Sequence, residues 1–197
     1  MSDYNCANNV GWGLYSKVLN LVRVGSKVLD VGCGNGKLGE LIQNKELYGT
    51  EIDKSTEQIC KSKGYNFHLS RIGDEVLPFE DKYFDTTFCL EVFQYISPEK
   101  IPFAIAELKR VTKGEVIISV PNYNCTSIRS IFSKKLRTLF FNSINKTHYP
   151  TNRDYLEGLV ENIEIRYIYS RFEWVRSLWG NMFASEVVGI INEWMLR

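Results

Sequence analysis

Three glycines and two carboxylates stand at spacings that could do chemistry. The segment Val28-Leu-Asp-Val-Gly-Cys-Gly-Asn-Gly-Lys37 places glycine at 32, 34 and 36, directly after a short apolar run. Glycine lets the backbone turn sharply and approach a ligand without a Cβ in the way. A helix opening after such a turn would aim its free N–H groups at an anionic group. The second segment is Gly49-Thr-Glu-Ile-Asp53. Its Glu51 falls about 20 residues after the first glycine, where a strand-end carboxylate accepts the hydroxyl protons of a ribose. In this order the two segments describe a site for a nucleoside cofactor. The spacing is G-x-G-x-G. It contains no G-x-x-x-x-G-K-[ST], which argues against a P-loop, and as G-x-G-x-x-G it fails at Lys37, although Gly39 follows.

Such a site needs a sheet whose strands end together. Lys27–Val31, Leu47–Glu51, Tyr65–Leu69, Phe84–Leu90 and Glu115–Val120 read as strands, rich in β-branched and aromatic residues. Helical stretches lie between them, over 38–44, 55–63 and 98–111, the last with Pro98 near its start and Gly114 after its end. Strands alternating with helices imply right-handed βαβ units and a parallel sheet. After residue 121 the character changes. Thr151-Asn-Arg-Asp154 resembles a capping box opening a helix to about Glu161. Ile163–Tyr169 alternates as a half-exposed strand and Glu186–Ile191 reads as a final one, without a clear crossover helix between them. The expected fold is therefore α/β: a doubly wound, mostly parallel, seven-stranded sheet with helices on both faces and an antiparallel edge at the C-terminus.

The bulk properties narrow the classes. A chain of 197 residues favours one domain, and 44% hydrophobic with 24% charged residues is ordinary globular composition. A net charge of +1 exerts no global pull on nucleic acid, so no nucleic-acid partner is expected. Five cysteines without a C-x-x-C pair argue against a disulfide framework or a zinc site, so no metal is expected, and they suit a reducing, cytoplasmic location. The polar start MSDYNCANNV does not read as a signal peptide, and no apolar run reaches the roughly 20 residues of a membrane span. The sequons at Asn124 and Asn145 are chance matches in that setting.

The glycine segment, Glu51 and the later stretches of the chain resemble the class I S-adenosylmethionine-dependent methyltransferases over roughly residues 26–122. Leu77-Pro-Phe79 with Phe84-Asp85, then Leu90-Glu-Val-Phe-Gln-Tyr-Ile96, Ala106–Val111 and Ile117–Asn122 are similar to the family's later motifs in the same order. Gly-Thr-Glu-Ile-Asp and Ser119-Val-Pro-Asn122 look closest to the MetW-like branch of the type 11 group, associated with methionine biosynthesis. The resemblance implies S-adenosyl-L-methionine as cofactor. It assigns the methionine moiety to the backbone of Gly32, Cys33 and Gly34, with Asp30 and Gly36 nearby. It assigns the ribose to Glu51 and adenine packing to Ile52, with Arg71, Ile72 and Leu90 completing the set. It also implies one methyltransferase domain over 1–197, with a helical lid inserted at about 123–150.

Two departures stand out. The family's Gly-Asp pair after strand three, whose Asp binds the adenine amino group, aligns with Ser70-Arg71; Asp74 is the substitute if that loop runs one turn longer. The loop after strand four often carries a His in related small-molecule enzymes, and Tyr95 occupies that place, a weak base at an ordinary pKa of about 10. No residue is assignable as catalytic. Tyr95, His148 and Tyr149 are the candidates for lining the acceptor pocket, against packing roles for each. His68, inside a strand, reads as structural. Tyr4, Trp12 and Tyr15 either close over the cofactor or belong to the core of an N-terminal helix.

Residues 116–153 hold no Asp or Glu but do hold Arg129, Lys134, Lys135, Arg137, Lys146 and Arg153. Ile128, Ile131, Phe132, Leu136, Leu139 and Phe140 recur at helical spacing, giving an amphipathic basic helix. It reads as a lid for an anionic acceptor, as a peripheral membrane contact through 128–140, or as a solvated lid packed on the core.

The leading expectation is methyl transfer to a small-molecule substrate, with O-methylation favoured. The second is an accessory protein, similar to MetW-like proteins, that binds a partner acyltransferase with little catalysis of its own. The third is a nicotinamide-dependent oxidoreductase; the glycine spacing and the short chain count against it.

Overall fold

The structure is a computed structural model, and it describes residues 12–121, 157–158, 164–168 and 186–192. Helix α1 spans Trp12–Leu19, strand β1 Lys27–Val31, α2 Lys37–Leu41 and β2 Glu46–Glu51. A 3-10 turn at Lys54–Thr56 runs into α3, Glu57–Ser62, and then into β3, Tyr65–Leu69. Strand β4 is Phe84–Leu90, α4 Ile101–Val111 and β5 Thr112–Pro121. Strands β6, Glu164–Ile168, and β7, Glu186–Asn192, complete the sheet.

The seven strands lie in the order β3-β2-β1-β4-β5-β7-β6. Strands β3, β2, β1, β4 and β5 pair in parallel, while β7 pairs antiparallel with both β5 and β6. The expected doubly wound sheet with an antiparallel C-terminal edge is thus present. From β1 the chain winds outward through β2 and β3, then crosses back to β4 on the other side. The reversal opens a crevice at the carboxyl ends of β1 and β4, where ligands bind in open α/β sheets.

Alternation along each strand splits the core in two. On one face Leu29, Val31, Phe84 and Ile118 pack with Ile101, Ile105 and Leu108 of α4. On the other, Val28, Phe88 and Ile117 pack with Leu14 and Val18 of α1, Leu38 of α2 and Cys60 of α3. Phe84, Phe88 and Phe93 are fully buried, each worth about 1.5–3 kcal/mol of transfer from water.

The Leu77-Pro-Phe79 and Phe84-Asp85 segments serve this architecture. Arg110 Nη1 donates to the Phe79 carbonyl at 2.8 Å and Nη2 to the Leu77 carbonyl at 3.0 Å, while the Leu77 amide donates to Glu107 Oε2 at 2.8 Å. Asp85 Oδ2 accepts from the amides of Ser26 and Lys27 at 3.0 and 2.8 Å, fixing where β1 starts. Phe79 and Phe84 join Tyr48 and Tyr83 in an aromatic cluster. His68 belongs to it, its ring 4.9 Å from that of Phe79, which is the structural place expected for it.

Several local boundaries differ from expectation, the 55–63 helix among them, which opens as the 3-10 turn Lys54–Thr56. Helix α2 is a single turn rather than a run to residue 44, because Ile42 is extended (φ -103, ψ 98) and Asn44 is left-handed (φ 58). The 98–111 helix opens as a 3-10 turn at Pro98–Lys100. Strand β5 begins at Thr112, so Gly114 lies inside it instead of ending the helix. A register shift of β5 against β4 between Phe84 and Thr86 brings the Asp85 carbonyl against Gly114, where a Cβ would overlap it. The capping box at 151–154, the lid at 123–150 and the basic segment 128–140 lie outside the described residues.

Candidate functional site

The chain leaves β1 through three left-handed glycines, Gly32 (φ 72), Gly34 (φ 51) and Gly36 (φ 67). That region costs an L-residue about 1–2 kcal/mol, and a Cβ on Gly32 would also overlap Val92 Cγ2. The turn satisfies its own amides. Gly32 and Cys33 both donate to the Thr50 carbonyl, at 2.8 and 3.0 Å, and Gly36 donates to the Cys33 carbonyl at 2.8 Å. The Gly34 amide donates to Glu51 Oε2 at 2.9 Å. The turn therefore does not present these N–H groups to an anion. It presents backbone closely packed on the end of β2.

Glu51 is the hinge of this arrangement. Its Oε1 accepts from the amides of Ile52 and Asp53 at 2.7 and 3.2 Å. A carboxylate has about four acceptor positions, so these three bonds orient it and leave capacity for a hydroxyl donor. Ile52, next in sequence, is 39% exposed, an apolar side chain standing in solvent at the rim.

Asp30 lies buried at the end of β1. Burial, reinforced by the charge of Glu51, pushes its carboxyl up to about 7, although a hydrogen bond from Tyr65 opposes the rise. Tyr65 donates to Asp30 Oδ2 at 2.7 Å and accepts from the Gly39 amide at 2.9 Å. Cys33 and Cys60 are free thiols 3.7 Å apart, and Cys60 donates to the Gly34 carbonyl at 3.1 Å. The Cys60 sulfur, burial and the Asp30 charge push the Cys33 thiol up. Tyr15 of α1, packed against the second core cluster, is also pushed up, by burial and then by the charges of Asp30 and Glu91.

The remaining expected positions separate. Arg71 is exposed, its amide donating to Glu75 Oε2 at 3.2 Å. Ile72 and Leu90 are buried in the two halves of the core, so only their edges can face a ligand. Asp74 is ion-paired with Lys100 and, at 3.6 Å, with Arg71, which commits its carboxylate elsewhere. Ser70, whose amide donates to the Glu51 carbonyl at 3.1 Å, is buried, and among the described residues its Oγ has no hydrogen-bond partner. Tyr95 sits in the 3-10 turn Phe93–Tyr95 beyond β4 and is 39% exposed. His148 and Tyr149 lie outside the described residues.

Sequence reasoning passed over Tyr65, Cys60 and Glu91. Glu91 follows β4 with φ 59, a left-handed conformation unusual for its type and frequent at functional sites. Its amide donates to the Ser119 carbonyl and Oγ, both at 3.1 Å, and Ser119 Oγ donates back to Glu91 Oε1 at 2.8 Å. The glycines at 36, 39 and 49 were the available signal for Tyr65, since each makes room for its ring. Among the described residues, no group of three or more His, Cys, Asp or Glu is placed to hold a metal ion, and no helix is long and apolar enough to cross a membrane.

Comparison with known proteins adds three findings. The family model described as "methionine biosynthesis protein MetW" matches residues 14–188. A tRNA (carboxymethyluridine(34)-5-O)-methyltransferase of Arabidopsis thaliana is 34% identical over 113 residues, 55% of this chain and 27% of that protein. A malonyl-[acyl-carrier protein] O-methyltransferase of Erwinia billingiae is 34% identical over 101 residues, 49% of this chain and 39% of that protein. The matched part is thus well under half the length of these curated relatives. Among solved structures, a SAM-dependent methyltransferase of Archaeoglobus fulgidus superposes with a TM-score of 0.68 at 17% identity, covering 91% of this chain and 93% of that one. Magnesium protoporphyrin IX methyltransferase of Synechocystis with bound SAH gives 0.61 at 19% identity, covering 90% and 78%. The methyltransferase in complex with the Trm112 activator of Haloferax volcanii gives 0.63 at 16%, covering 91% and 88%. At these identities the superpositions establish a common fold.

Proposed function

The chain belongs to the MetW family, and on that footing we propose that it binds S-adenosyl-L-methionine at the carboxyl ends of β1 and β2 and transfers the methyl group to a small-molecule acceptor. The observation that carries this reading is the bond from the Gly34 amide to Glu51, which holds the glycine turn and the ribose carboxylate as one unit. The residues present fit the cofactor. Glu51 is oriented with acceptor capacity to spare, Ile52 offers an exposed apolar surface to a purine, and Ser70, whose amide bonds the Glu51 carbonyl, keeps a buried Oγ without a partner among the described residues.

The cofactor supplies a methyl group on a sulfonium, a leaving group good enough that positioning the acceptor accounts for most of the acceleration. The chain's part is then to hold and to exclude. Glu51 would accept hydrogen bonds from the ribose hydroxyls, the backbone at Gly32–Gly34 would bound the methionine end, and Asp30 would offer it negative charge. Tyr15, Glu91 and Tyr95 border the acceptor side. Tyr95, exposed beyond β4, contributes shape and a hydroxyl to that side. Both curated relatives are named as O-methyltransferases, which supports oxygen as the acceptor atom. An anionic acceptor under a lid at 123–150, lined by His148 and Tyr149, completes the proposal; membrane contact through 128–140 is its variant for a lipid-borne acceptor.

A second reading has an observation of its own. The family description names methionine biosynthesis, and one fold relative was solved with an activator protein. On this reading the chain binds a partner acyltransferase and uses the cofactor as a signal. Transfer of labelled methyl from S-adenosylmethionine into a metabolite extract separates the two. A labelled product supports the enzyme. A stable copurifying acyltransferase without any labelled product supports the accessory role and overturns the first reading.

A further inference from the structure

Tyr65 lies at the start of β3, outside every motif that identifies the cofactor site, yet the site is built around it. Its hydroxyl donates to Asp30 Oδ2 at 2.7 Å and accepts from the Gly39 amide at 2.9 Å. Its ring fills the space left by three glycines on three elements. A Cβ at Gly36, in the turn, would stand 3.0 Å from Tyr65 Cε2; at Gly49, on β2, 2.7 Å from Cδ1; at Gly39, on α2, it would overlap Cε2. We infer that Tyr65 is a positioning residue for the cofactor, its hydroxyl orienting the Asp30 carboxylate and tying the glycine turn and α2 to β3. The inference rests on the proposed binding of S-adenosylmethionine.

The surroundings of Asp30 give the hydroxyl its leverage. Among the described residues, the titratable groups around that carboxylate are Tyr15 from α1, Cys33 in the turn, Glu51 from β2, Cys60 from α3, Tyr65 from β3 and Cys89 from β4. None of these is a cation. The nearby Lys63 gives its ammonium to the Asn35 carbonyl at 2.6 Å and to Glu40 at 2.5 Å. Among the described residues, burial therefore acts on Asp30 without a counter-charge, and the Tyr65 hydrogen bond is the favourable contact that opposes it. A ligand carrying a sulfonium and an ammonium supplies the missing positive charge. It binds the ionised carboxylate better than the protonated one, so its affinity rises with pH as Asp30 loses its proton. Removing the hydroxyl removes a bond to the ionised form and moves that rise to higher pH.

The test is the dissociation constant of S-adenosylmethionine, by calorimetry between pH 5.5 and 8.5, for the wild type, Tyr65→Phe and Asp30→Asn. Phenylalanine keeps the ring against the glycines, so folding is preserved; thermal melts confirm it. The wild type is expected to tighten as pH rises, bending near 7. Tyr65→Phe is expected to bend about a pH unit higher, binding roughly tenfold more weakly at pH 6.5 and about equally at pH 8.5. Asp30→Asn removes the bend and leaves only titration of the ligand's own amino group, near about 8. A bend that stays in place in Tyr65→Phe, or a loss of affinity equal at every pH, shows a merely structural tyrosine and overturns the inference. If the wild type binds no S-adenosylmethionine at any pH, the cofactor reading fails and the inference falls with it.

Discussion

The Gly34 amide donates to Glu51 Oε2 at 2.9 Å across 17 residues of chain, so the end of β2 and the turn after β1 form one rigid rim. The same carboxylate collects the amides of Ile52 and Asp53 through its other oxygen. A single side chain thereby sets the orientation of the turn and of the segment that leads into α3.

Replacing Glu51 by Ala removes a charge-assisted acceptor that a ribose would use. Bonds of this kind contribute about 1.5–3 kcal/mol, so affinity for S-adenosylmethionine should fall roughly ten- to a hundred-fold. Calorimetry on folded protein reads this directly, and unchanged affinity would refute the ribose assignment.

Asp30 gives the protein an unusual pH signature. Its carboxyl is near 7 when folded and about 3.9 when unfolded, so the folded state holds a proton that the unfolded state has released between those values. Stability from this group is therefore greatest at low pH and declines as pH rises from about 4 to about 7. Asp30→Asn should raise the melting temperature of the ligand-free protein at pH 8, by on the order of 2–4 kcal/mol of stability, and do little at pH 4. An equal effect at both pH values would show that folding does not raise the Asp30 carboxyl.

Gly32 and Gly64 separate strain from overlap. Both are left-handed, at φ 72 and φ 85, but a Cβ at Gly64 meets nothing within 4 Å whereas at Gly32 it would overlap Val92. Gly64→Ala should cost about 1–2 kcal/mol and Gly32→Ala about 1–3 kcal/mol more. Denaturant melts giving equal losses would mean that Val92 can move aside freely.

Much of this was legible from patterns of neighbours in the chain. Leu29, Val31, Phe84, Phe88 and Ile118 sit in apolar runs bounded by turn residues, and each proved to be core strand. Glu51 was legible because its distance from the glycines is itself the signal. What was not legible depends on contacts between distant segments. The bond from Tyr65 to Asp30 spans 35 residues, and no local feature of Tyr65 marks it. Gly114 looked like a helix stop because nothing local shows the Asp85 carbonyl pressed against it. Glu91 was visible as a residue type, but its left-handed backbone and its exchange of bonds with Ser119 exist only once β4 and β5 pair.

Arg110 tests how the loop before β4 is held. Its guanidinium donates to Glu107 Oε1 and Oε2, each at 2.8 Å, to Asp81 at 2.9 Å and to two carbonyls. Arg110 in turn holds the Glu107 carboxyl below its usual range. Arg110→Met leaves a buried carboxylate unpaired and should cost about 2–4 kcal/mol at neutral pH, less than a fully buried pair because Arg110 is partly exposed. The stability Glu107 gains from Arg110 is present above about pH 4 and is lost as pH falls through its lowered value. The difference between variant and wild type should therefore shrink in acid; a constant difference would assign the loss to packing alone.

The rim formed by Gly34 and Glu51 is proposed to hold a sulfur-linked nucleoside. Calorimetric titration of the purified chain with S-adenosylmethionine, S-adenosylhomocysteine and NAD tests it most directly. The two sulfur nucleosides should each bind at one site per chain while NAD shows no heat of binding. Binding of NAD without binding of either sulfur nucleoside would contradict it.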